Sequence, residues 1–78
     1  MPKNHKKFPY IQKLVEEKNV KALKEEAKYI QRILNDYTEL LPKALTKEDE
    51  INVLENIKHE EKLLNYINSA LEKILSSN

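Results

Sequence analysis

A chain of 78 residues without a single glycine has few ways to reverse direction sharply. Tight hairpins between strands rely on positions with positive φ, and glycine is the residue that takes them at least cost, so a β-meander is disfavoured from the outset. Helix is the remaining solution. Only three residues are proline, 35% are charged, and the two long tracts on either side of residue 42 are built mostly from helix formers. The expected fold is all-α: an antiparallel helical hairpin or a small three-helix bundle, with a four-helix bundle if two copies associate.

Apolar spacing locates the helices. Val20, Leu23, Ala27, Ile30, Leu34, Tyr37 and Leu41 alternate steps of three and four, which lines all of them along one helical seam. An earlier set, Ile11, Leu14 and Val15, follows Pro9, a residue suited to a first helical turn, so a helix is expected from about residue 9 to 18, after a flexible basic arm over residues 1–8. The two sets are out of phase. The step of five from Val15 to Val20 rotates the stripe by roughly 140°, and Asn19 is a natural cap at that point. One continuous helix over 9–41 stays open as an alternative, since an interior Asn costs only about 0.7 kcal/mol.

The stretch "LPKALTKEDE" at 41–50 reads as a corner. Pro42 stops a helix at about Leu41, and Thr46, followed by Glu48, Asp49 and Glu50, has the hydroxyl and acids that begin another, expected over about 47–76. So short a connection folds its helices back on one another. Folding there would bring Leu34 near Leu54, Ile30 near Ile57, Leu23 near Leu64 and Val15 near Ile74. The last tract carries a wide apolar stripe, which calls for two neighbours: a short first helix and the second helix, or the second helix and another subunit.

Catalytic and metal chemistry finds little support. With no cysteine there is neither a disulfide nor a thiolate site, and the chain suits a reducing, cytoplasmic setting. His59 has Asn56, not a glutamate, three residues before it, which breaks the ligand spacing of di-metal bundles. Glu60 and Glu61 are adjacent, point about 100° apart on a helix, and read as a solvated face. No glycine-rich loop exists to cradle a phosphate. No enzyme activity, cofactor, metal or small-molecule substrate is expected, and neither a membrane span nor a secretory leader is visible in the sequence.

Charge is uneven. Residues 1–28 hold eight Lys against four Glu, whereas 46–78 hold four Lys against seven acids. A basic first half suggests weak phosphate contacts through Lys3, Lys6, Lys7, Lys13, Lys21, Lys24 and Lys28, but the interleaved acids and a single Arg make nucleic acid the weaker alternative. A protein interface is the stronger expectation. A second stripe runs through Tyr29, Ile33 and Leu40 on one helix and Leu63, Tyr66 and Ala70 on the other, with tyrosines as anchors. It would serve a homodimer or a different protein partner, or else receive the chain's own first helix. The sequence thus points to a small adaptor or inhibitor, of the kind bacteria or phages use in regulation.

Overall fold

The computed structural model describes the backbone of residues 4–77 and the side chains of residues 7–77. Three helices, α1 (Asn4–Glu16), α2 (Val20–Leu40) and α3 (Lys47–Ser76), account for nearly all of it, with a single 3₁₀ turn over Leu41–Lys43. The protein is all-α. Each helix packs against the other two. At about 1.5 Å per residue, the 30 residues of α3 span roughly 45 Å and set the long dimension of the molecule, 48 Å. The 13 residues of α1 span only roughly 20 Å, less than half of that length.

The chain breaks between α1 and α2, at "EEKN", and the break shows how a glycine-free sequence turns. The Lys18 amide donates to the carbonyl of Val15 and the Asn19 amide to that of Leu14, both at 3.0 Å, the paired bonds of a Schellman ending. That ending needs a left-handed residue, usually Gly, at the position after the helix. Here Lys18 takes it, with φ at 54°. Asn19 then closes one helix and opens the next, its side-chain oxygen accepting from the Ala22 amide at 3.1 Å.

Helix α1 begins at Asn4, five residues before the expected start at Pro9, so residues 4–8 of the anticipated arm are helical in backbone. Proline inside the helix withholds one amide and crowds the preceding turn. What holds that turn is tertiary: Phe8 rests on Tyr66 of α3 with ring centroids 5.1 Å apart, and Lys7 reaches Glu26 and Tyr29 of α2. Propensity is overridden by packing.

At the other corner, Pro42 lies in the 3₁₀ turn, and the Thr46 hydroxyl accepts from the Asp49 amide at 3.1 Å to start α3. Glu48, Asp49 and Glu50 occupy the first turn, where the helix dipole favours them. The core is Ile11 and Leu14 from α1, Leu23, Ile30 and Leu34 from α2, and Leu63 and Ile67 from α3. Leu34 shares a groove with Ile57, Glu61 and Leu64, whereas its expected neighbour Leu54 is 40% exposed, so Leu34 meets α3 further along than expected. Val15 does share a groove with Ile74, together with Tyr66 and Ala70.

Because Lys18 carries a side chain in a conformation that disfavours a Cβ, Lys18→Gly should raise stability to urea by about 0.5–1 kcal/mol. A loss of stability in that variant would show that the left-handed turn does not form.

Candidate functional site

Helix α1 occupies much of the surface that the sequence offers as an interface. Its apolar face buries Ile11 and Leu14 against α2 and α3. Of the six residues on the expected stripe, Leu63 and Ala70 are buried core and are not available to a partner. They became core because the wide stripe of α3 is met by α1 within the same chain. Tyr66 is half-buried beneath Phe8, and the Tyr29 ring, exposed on its outer side, lies under the Lys7 ammonium at 4.1 Å. A cation over a ring face is worth about 0.5–1 kcal/mol at an exposed site, so Lys7 pins α1 to α2. Ile33 is half-buried and Leu40 is exposed, and both lie further along α2, toward the corner.

The lysines divide in the same way. Lys7 Nζ lies 3.1 Å from Glu26 Oε1 in a partly buried ion pair, and so acts inside the fold. Lys13, Lys21, Lys24 and Lys28 are exposed. Lys3 lies outside the described residues, as does the side chain of Lys6. Of the expected phosphate contacts, those on show therefore sit on α1 and the first half of α2, while Lys43, Lys47, Lys58, Lys62 and Lys73 are exposed elsewhere.

One polar residue departs from the sequence reading. The buried stripe of α3 is Glu60, Leu63, Ile67 and Ala70, and its first member is a carboxylate only 4% exposed, while Glu61 faces solvent. Among the described residues, Glu60 Oε1 accepts no hydrogen bond. Steps of three and four make the placement legible afterwards, but a glutamate in such a stripe is ordinarily read as a gap in it. No cluster of three or more metal-capable side chains occurs among the described residues.

The largest apolar side chains left outside fall at two ends. Phe8, Tyr10 and Tyr29 lie on or against α1 and Leu75 lies near the end of α3 away from the corner, whereas Leu40, Leu45, Ile51 and Leu54 surround the α2–α3 corner. Leu45 is the extreme case, 93% exposed in the connecting loop. Between α2 and α3 a shallow groove has a floor of Leu34, Ile57 and Leu64 and walls of Gln31, Asn35, Thr38, Glu61 and Asn65. Its walls hold amides and one carboxylate, a lining for water or another polar surface.

No known family model, curated protein or solved structure matches this chain. No helix among the described residues is long and apolar enough to cross a membrane.

A buried carboxylate oxygen that accepts no hydrogen bond, as at Glu60 Oε1, holds the fold below its attainable stability. Glu60→Leu should raise the free energy of urea unfolding by about 1–3 kcal/mol. A drop in stability would mean instead that the carboxylate is paired and supports the core.

Proposed function

We propose that this chain is a non-enzymatic protein-interaction module: a compact antiparallel three-helix bundle that acts in the cytoplasm as an adaptor or inhibitor by presenting part of its helical surface to a protein. The observation that carries this reading is the set of large apolar side chains left outside a completed core. Once α1 is docked, the chain's own needs are met at Ile11, Leu14, Leu63 and Ala70, yet Leu40, Leu45 and Ile51 each remain about half exposed or more. Single exposed leucines are ordinary on any protein surface; several together at one end of a small chain are the usual mark of a binding surface.

Self-association into a four-helix bundle is the other arrangement the sequence raises. Burial of Leu63 and Ala70 in the single chain favours a dimer face elsewhere. The exposed Lys13, Lys21, Lys24 and Lys28 keep weak phosphate binding as a competing reading, and acids among them, such as Glu16, Glu17 and Glu25, oppose it.

Sedimentation equilibrium, combined with cross-linking in the cells the protein comes from, tests the reading. The expected outcome is a concentration-independent mass near 9.2 kDa and one dominant protein captured covalently. A mass that doubles with concentration would favour the homodimer. A complex with DNA or RNA that dissolves in moderate salt, with no protein captured, would overturn the proposal.

A further inference from the structure

Helix α1 covers only one end of the α2–α3 pair, where Phe8, Tyr10, Tyr29 and Leu75 stay partly exposed; the other end holds Leu40, Leu45, Ile51 and Leu54, and Leu45 is the most exposed of all eight. Leu40 ends α2 at 49% exposure, Leu45 stands in the loop at 93%, and Ile51 and Leu54 follow in the first two turns of α3 at 49% and 40%. Acids surround them. Residues 36–55 hold Asp36, Glu39, Glu48, Asp49, Glu50 and Glu55 against Lys43 and Lys47, six acids to two bases and a net of −4. All eight of these charged side chains are exposed.

Resting on the interaction-module reading, we infer that this corner is the docking tip, and that its occupant is a basic amphipathic helix of a partner protein. Two observations select that chemistry. The first is charge: leucines set among acids suit a helix whose apolar stripe is flanked by Lys or Arg, because opposite potentials speed encounter and fix orientation. The second lies within the chain. Helix α1, "NHKKFPYIQKLVE", is itself a basic amphipathic helix with three lysines and one glutamate, and it is seated on the opposite end of the same two helices. There Ile11 and Leu14 enter the seam while Lys7 meets Glu26 and Tyr29.

Other occupants fit less well. Two tips face to face would oppose two net charges of −4 across one interface. A tip set on the basic end of a second copy makes a head-to-tail contact, which yields a ring or an open filament in place of a simple pair. An anionic membrane surface would repel the acids.

The test uses the full-length ¹⁵N-labelled protein and three defined probes: a model amphipathic helix of Leu and Lys, the same peptide with Glu in place of Lys, and vesicles containing phosphatidylglycerol. The Leu/Lys peptide should shift amide resonances concentrated at residues 40–55. The Leu/Glu peptide and the vesicles should not. Leu45→Ser combined with Ile51→Ser should weaken the Leu/Lys complex by on the order of tenfold with helicity unchanged, since both side chains lie outside the core. Leu45→Ser alone, at the most exposed position, should act in the same direction and guards against misfolding of the pair.

The inference is overturned if the shifts fall on α1 and Tyr29, if both peptides bind alike, if vesicles bind instead, or if the tip resonances move with protein concentration alone. It also fails separately from the broader reading. A partner captured in cells that stays attached to the double variant would remove the tip and leave the interaction module standing, whereas capture of no protein would remove the module itself.

Discussion

Two side chains, Ile11 and Leu14, hold the architecture together by entering the seam between α2 and α3. Each contributes about 1.5–3 kcal/mol on full burial, a large share of what so small a chain can gather. Their burial also gives α1 a reason to exist. A helix of 13 residues is marginal by itself in water, and this one is interrupted by Pro9. The dependence runs both ways, because removing α1 would uncover Leu63 and Ala70 and leave α3 with a broad apolar stripe facing solvent. Phe8 against Tyr66, and Lys7 against Glu26 and Tyr29, extend the same docking toward the beginning of the chain.

From that docking follows the division of the molecule into a finished end and an open one. Where three helices meet, Ile11, Leu14, Leu23, Ile30, Leu63 and Ile67 are consumed inside the chain, while Tyr10, Tyr29 and Leu75 stay about half exposed among both lysines and glutamates. Where only α2 and α3 remain, Leu40, Leu45, Ile51 and Leu54 stay outside among acids. The turn at Lys18 and Asn19 fixes one end of α1, and its other end, toward Lys7 and Phe8, is the one nearer the corner. Absence of glycine shapes that turn: the left-handed position falls to a lysine, and the cap that follows is an asparagine serving two helices.

Much of this could be read from residue spacing. The seam through Leu23, Ile30 and Leu34, the start of α3 at Thr46 and the cap at Asn19 all follow from periodicity and capping chemistry, which act within a turn or two of sequence. Long-range choices were less accessible. Periodicity shows that α3 needs two neighbours but cannot say whether the second is α1 or another subunit, so Leu63 and Ala70 read equally well as interface and as core. The early start at Asn4 was hidden because Pro9 argues against it locally, and the contacts that outweigh proline, Phe8 with Tyr66 and Lys7 with Glu26 and Tyr29, join residues far apart in the chain. Glu60 was hidden by its charge, although its spacing placed it in the buried stripe all along.

Native-state hydrogen exchange tests the docking of α1 most directly, with no substitution needed. Amides of Leu14 and Val15 should exchange only on global unfolding, with protection equal to that of core amides in α2 and α3 such as Leu34 and Ile67. If α1 amides exchange at rates close to those of an unstructured peptide while Leu34 and Ile67 stay protected, the first helix is not part of the folded unit. The stripe through Tyr29, Leu63, Tyr66 and Ala70 would then be open surface after all.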